Sequence, residues 1–80
     1  MTQLQELDIV ALTEDRQTTH FETGEPITLS KGQVGTIVIV FNNNVFEVDF
    51  SDNDGTTYAM ETILGNQLLQ LHYELAEVVS

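Results

Sequence analysis

The feature that most constrains this chain is the segment Phe46-Glu47-Val48-Asp49-Phe50, in which three large apolar residues alternate with two carboxylates. Side chains along a β-strand point to opposite faces with a period of two, whereas a helix would scatter these five residues around its circumference. Phe46, Val48 and Phe50 are therefore expected in a core, with Glu47 and Asp49 in water. Asn42-Asn43-Asn44 separates this strand from Thr36-Ile37-Val38-Ile39-Val40-Phe41, a run of consecutive apolar, mostly β-branched residues after Thr36. Asn accepts the left-handed backbone that tight turns require, so the two runs read as a β-hairpin. Ile37, Ile39 and Phe41 would point one way and Val38 and Val40 the other, which makes both faces of the first strand apolar. Curvature in a small barrel buries both sets. The alternative is a surface patch that receives a partner or a second copy of the chain.

Outside this hairpin, further strands are read from β-branched or aromatic runs bounded by polar turns. Asp8-Ile9-Val10-Ala11-Leu12 is one. Thr56-Thr57-Tyr58-Ala59-Met60-Glu61 is another, reached through the turn Ser51-Asp52-Asn53-Asp54-Gly55. Lys31-Gly32-Gln33-Val34-Gly35 reads as a turn leading into the apolar run. Leu64-Gly65-Asn66 breaks the chain, and a short last strand is expected around Leu68 to His72, followed by a looser tail over 73–80. Helical spacing at Leu68, Leu71, Leu75 and Val78 competes with that assignment. Thr13 to Lys31 is predominantly polar, and Pro26 interrupts regular structure, so this stretch is predicted to be a long connection without a helix or strand of its own. Five short strands, one long early loop and tight central hairpins describe a single all-β domain over residues 1–80. Its core spans about 7–72, and it closes into a small barrel that removes exposed edges.

Charge narrows the function classes. Arg16 and Lys31 stand against thirteen Asp and Glu, a formal charge of −11 with His neutral. Nucleic-acid binding depends on Lys and Arg that displace condensed counterions, and attachment to an anionic membrane depends on the same cations, so neither is expected. A field of this sign speeds encounter with a basic protein, although it also serves solubility alone. The chain has no Cys, which leaves neither a disulfide nor a thiolate site. Met1 to Leu7 lacks the basic and apolar regions of a signal peptide, and a cytoplasmic location is expected.

No residue pattern points to catalysis. Asp52-Asn53-Asp54-Gly55 followed by Glu61 matches the later part of a calcium-binding loop, but Phe50 occupies the first ligand position and the flanks read as strands, so these residues are expected to form a β-turn. His20 and His72 lie far apart and outside metal-binding spacings. His20 is read as a solvated pair with Glu22, and His72 as a surface residue. Phosphate-loop, nucleophile-elbow and dinucleotide motifs are absent. The chain is accordingly read as a non-enzyme without metal or cofactor. The candidate partner-binding residues are Glu14, Asp15, Glu22 and Glu25 in the acidic loop, Ile37, Ile39 and Phe41 on the apolar strand, and Phe21 and Tyr58. Phe21, Phe41 and Tyr58 either complete the core or form an aromatic groove for a peptide.

Leu7-Asp8-Ile9-Val10-Ala11-Leu12, Lys31-Gly32-Gln33-Val34-Gly35-Thr36-Ile37-Val38 and Phe46-Glu47-Val48-Asp49-Phe50, with Asp52, Gly55 and Thr57-Tyr58-Ala59, together resemble a family of small bacterial proteins. This family is common in cyanobacteria, is catalogued as a domain of unknown function and is similar to SH3-like barrels. The resemblance covers roughly Leu7 to His72. The sequence departs from the usual pattern in the longer Gln17 to Leu29 segment and in the tail after Tyr73. What the resemblance implies is a five-stranded SH3-like barrel with a long first loop and no catalytic residue. It also implies a role as antitoxin or immunity companion of a small basic nuclease-like protein. A peptide-binding or assembly subunit of a larger enzyme complex is the alternative.

Overall fold

The structure is a computed structural model and describes residues 4–72. Among the described residues there are seven strands and one short 3-10 turn, in the order β1 (Ile9–Leu12), β2 (Arg16–Thr19), β3 (Pro26–Leu29), β4 (Val34–Asn42), β5 (Val45–Ser51), β6 (Thr57–Leu64), the 3-10 turn (Gly65–Gln67) and β7 (Leu68–Gln70). The all-β class and the five expected strands are present. Those five form one antiparallel sheet in the order β6-β5-β4-β1-β7, and β2 and β3 pair separately. A candidate strand or helix beyond Tyr73 lies outside the described residues.

The sheet is curled. Its order places β6 and β7 at opposite edges, which a flat sheet would hold apart by four strand spacings, roughly 19 Å. The two are nonetheless joined by the turn Gly65–Gln67 alone, and three residues of 3-10 helix rise only about 6 Å. The connection is possible because the sheet bends its two edges towards each other. Bending encloses one face, and there the alternation of β5 is realised as expected: Phe46, Val48 and Phe50 are buried with Val10, Leu12, Ile37, Ala59, Ile63 and Leu68.

Gly35 makes part of this packing possible. Its neighbours Lys31 to Val34 predict a turn, but Gly35 lies inside β4 opposite Val10. A Cβ there would come within 2.7 Å of Val48 Cγ1 and 2.9 Å of the Phe50 ring, so only glycine lets β4 approach the two β5 side chains this closely.

The long first connection differs from its prediction. Instead of an unstructured loop it is a hairpin in which Arg16 pairs with Leu29 and Thr18 with Ile27. The inward residues of β2 and β3 are therefore Arg16, Thr18, Ile27 and Leu29. Leu29 is fully buried in the main core, and Ile27 packs against it. Pro26 is compatible with this arrangement because it is the first residue of β3, where its missing N–H costs little. Two of the four inward residues are polar, which hid the period of two.

Two central details also depart from expectation. The turn at Asn42 to Asn44 contains no residue of positive φ; it is held by the Asn42 side chain, whose Oδ1 accepts the Asn44 N–H at 2.8 Å. The pairing of β4 with β5 also shifts register between Ile37 and Ile39 and again between Val40 and Asn42. These bulges rotate the outer half of the strand. Ile37 is at 0% exposure, whereas Ile39 and Phe41 stand at 47% and 54%. The two apolar sets are thus not both buried by curvature: the strand is core up to Ile37 and surface beyond Ile39.

Candidate functional site

Two surfaces carry the residues singled out from the sequence. The first is the tip of the β2–β3 hairpin. Here His20 N–H donates to Glu25 O, Gly24 N–H donates to His20 O, and Gly24 has a φ of 74°. The imidazole closes the turn from within: His20 Nδ1 accepts the Glu22 amide at 3.1 Å and the Thr23 amide at 3.4 Å. The expected His20–Glu22 side-chain pair is replaced by this cap, which ties the ring to backbone N–H groups and leaves the Glu22 carboxylate exposed.

The tip is docked on β6. Phe21 N–H donates to Tyr58 O at 2.8 Å, and further down the hairpin Arg16 Nε donates to Glu61 Oε1 at 2.8 Å while Thr18 Oγ1 donates to Glu61 Oε2 at 2.6 Å. Arg16 Nη2 also donates to Thr62 O. Glu61 pairs with buried Val48 across the sheet and lies between Ala59 and Ile63, so it points to the core side of the sheet. There its two oxygens are met by β2. Tyr58 is half-buried, and its hydroxyl accepts Gln33 Nε2 at 2.6 Å. Phe21 is left 59% exposed beside it, with Glu22 and Glu25 exposed on the same turn.

Glu14 and Asp15 do not join this tip. Asp15 Oδ1 accepts the Lys31 amide and Glu14 Oε1 accepts Gln67 Nε2, which places both at the opposite end of the hairpin as ties between loops. Phe41 is likewise remote. Val40 pairs with Phe46 and Phe46 with Ile63, and Ile63 is five residues along β6 from Tyr58, roughly 17 Å of strand. The three-aromatic groove therefore does not form; Phe21 and Tyr58 come together, and Phe41 belongs elsewhere. Ile37, being buried, is a core residue and not a contact for a partner.

The second surface lies at the outer half of β4. Exposed Ile39, Val40 and Phe41 follow the bulge, and Leu4, Gln5 and Glu6 line an open cleft of about 520 Å³ together with Ile39 and Val40. The cleft exists because the chain before β1 turns away from β4. Leu7 N–H still donates to Ile37 O, and Ile37 N–H to Asp8 O, but Asp8 N–H closes a turn onto Gln5 O. Leu7 adopts a φ of 71° there, a conformation unfavourable for a branched side chain. Leu4, Gln5, Glu6, Gln33 and His20 were not among the sequence candidates. The sequence signal for the β4 side of the cleft is the apolar run through Ile39 and Val40, and for its other side Leu4 alone among polar neighbours.

The Asp52–Gly55 segment is a turn, as expected. Asp52 Oδ1 accepts the Asp54 and Thr56 amides, and Asp54 Oδ1 accepts the Thr56 amide as well. The Asp52 side chain, followed by Thr56, holds the Asp54 carboxyl below the ordinary aspartate value. Among the described residues no group of three or more His, Cys, Asp or Glu is arranged to hold a metal ion, and no helix is long and apolar enough to cross a membrane.

Residues 6–70 match the family described as Domain of unknown function (DUF4926). The chain belongs to this family. The DUF4926 match runs from just before β1 to the last residue of β7, so the β2–β3 hairpin and the outer half of β4 both fall inside it, while Leu4 and Gln5 fall just before it. No curated protein and no solved structure matches the chain.

Proposed function

We propose that this DUF4926 chain is a non-catalytic binding module for a basic protein, built on an SH3-like barrel. The strand order, the hairpin between the first two sheet strands and the 3-10 turn before the last strand support that barrel assignment. The reading rests on one observation. Arg16, one of two basic residues, is committed to Glu61, and Lys31 lies past the base of the hairpin. The tip therefore presents exposed Phe21 beside Glu22 and Glu25 with no cation among them. An exposed aromatic ring framed by carboxylates suits a surface rich in Lys and Arg, through long-range attraction and through stacking. The partner is a basic protein in the cytoplasm, and an antitoxin or immunity role towards a small nuclease-like protein is the specific form of the proposal.

The test uses the full chain as immobilised bait. Retention of a basic protein at low salt and its release as salt rises are expected, with retention lost in the triple variant Phe21→Ala, Glu22→Lys, Glu25→Lys. A captured protein that arrests growth when expressed alone, and whose nuclease activity disappears on adding this chain, would establish the antitoxin role. Capture insensitive to both salt and the tip variant would sink the reading.

A further inference from the structure

Beyond the hairpin tip, the structure assigns a second contact to the outer half of β4: we infer that the cleft between Leu4–Glu6 and Ile39–Val40 receives an extended basic segment of the partner, with one apolar side chain in the cleft. This rests on the reading that the chain binds a basic protein, and it names a different face.

Three observations carry it. Pairing on the β1 side of β4 ends where Ile37 exchanges hydrogen bonds with Leu7 and Asp8. From Ile39 to Asn42 the strand is paired with β5 alone among the described residues. A strand edge left open in this way accepts an added extended segment through its backbone. Next to that edge lies an open cleft large enough for a branched aliphatic side chain, lined by Leu4, Ile39 and Val40 together with Gln5 and Glu6.

The third observation selects the occupant. Glu6 lines the cleft, and Glu47 stands opposite Ile39 on the outward face, where one of its oxygens accepts the Thr62 hydroxyl. Neither Lys nor Arg occurs from Leu4 to Ala11 or from Gly32 to Ser80. A seat whose apolar part is Leu4, Ile39 and Val40, whose polar part is Gln5 and Glu6, and which has Glu47 opposite Ile39 favours an apolar anchor flanked by cations. A second copy of a chain of charge −11 would bring like charge to the same place.

The probes are three pentapeptides titrated into the full-length protein with amide shifts followed by NMR: Lys-Arg-Leu-Arg-Lys, the same peptide with Ser for Leu, and the Leu peptide with Glu for every cation. The Leu peptide is expected to bind about tenfold more tightly than either other, to shift the amides of Gln5, Glu6, Ile39 and Phe41, and to weaken about tenfold in Ile39→Ser. Glu47→Gln is expected to weaken it severalfold and to reduce its salt dependence.

Equal binding of the Leu and Ser peptides, or shifts confined to Phe21 through Glu25, would overturn the cleft assignment while leaving the basic-partner reading in place. Failure of both cationic peptides to bind even at low salt would remove both. Concentration-dependent self-association abolished by Ile39→Ser would give the cleft to a second copy and would overturn the assignment as well.

Discussion

Arg16 on β2 and Glu61 on β6 meet at 2.8 Å across the gap between the two sheets. Glu61 is a carboxylate on the core face of an edge strand, with a side chain only 17% exposed. Such a group is tolerable in that position because Arg16 and Thr18 satisfy both of its oxygens. The pair also protects the edge. Tyr58 O is taken by the Phe21 amide and Thr62 O by Arg16, so the hairpin occupies backbone acceptors that would otherwise invite another strand.

Removing one partner should therefore cost more than removing both. Arg16→Ala leaves a largely buried carboxylate with Thr18 alone and is expected to destabilise by about 2 kcal/mol. The double variant Arg16→Met, Glu61→Leu replaces the pair by apolar groups facing Ile63 and should recover most of that loss. Urea midpoints decide it; an Arg16→Ala midpoint equal to the parent's would mean that the pair is solvent-screened and holds nothing.

The bulge in β4 makes two neighbouring isoleucines inequivalent. Ile37→Ser places a hydroxyl and a void in the core and should cost more than about 3 kcal/mol, whereas Ile39→Ser should stay within about 0.5 kcal/mol. Thermal melts of the two variants separate them. Comparable losses would show that Ile39 is covered in solution.

How much of this was legible follows from where polarity and period agree. In β5 they agree from Phe46 to Phe50, so Phe46, Val48 and Phe50 read as core and define the central hairpin. In β2 and β3 they disagree, because Arg16 and Thr18 face inward by virtue of Glu61, a residue far along the chain. A hydrophobic pattern does not register a polar side chain satisfied by a distant carboxylate, so the pattern alone predicts a loop where the hairpin lies. The bulge after Ile37 is equally silent in a run where every side chain is apolar. For the same reason the candidate surface was legible in its composition but not in its grouping: Phe21, Glu22 and Glu25 do share the tip near Tyr58, whereas Glu14, Asp15 and Phe41 are elsewhere and Ile37 is inside.

Gly35→Ala tests how closely β4 and β5 are packed. The added methyl would lie 2.7 Å from Val48 Cγ1 and 2.9 Å from the Phe50 ring, and both residues are fully buried, so neither can swing into solvent. The expected loss is about 2 kcal/mol or more, from overpacking. Gly24→Ala meets no atom within 4 Å but sits at a φ of 74° and should lose about 1 kcal/mol through backbone strain alone. Shortening the Gly35→Ala side chain's neighbour with Val48→Ala should partly restore the first variant and leave the second unchanged, as compared by chemical denaturation.

The turn at Asp52 to Thr56 carries an acid-sensitive element whose sign is fixed by its hydrogen bonds. Asp54 is held below the ordinary aspartate value of 3.8, first by the Asp52 side chain and then by the Thr56 hydroxyl and amide. Because the folded value lies below the unfolded one, the contribution of the ionised group is fully present above the unfolded value. It is lost as pH falls through the folded value. Carboxyl carbon shifts followed by NMR should accordingly place the Asp54 midpoint below 3.8, and Asp52→Ala should move it upwards. Since Asp52 also caps the turn through the Asp54 and Thr56 amides, the same variant should speed amide exchange at Thr56 at neutral pH. An Asp54 midpoint unmoved by Asp52→Ala would assign the shift to Thr56 instead.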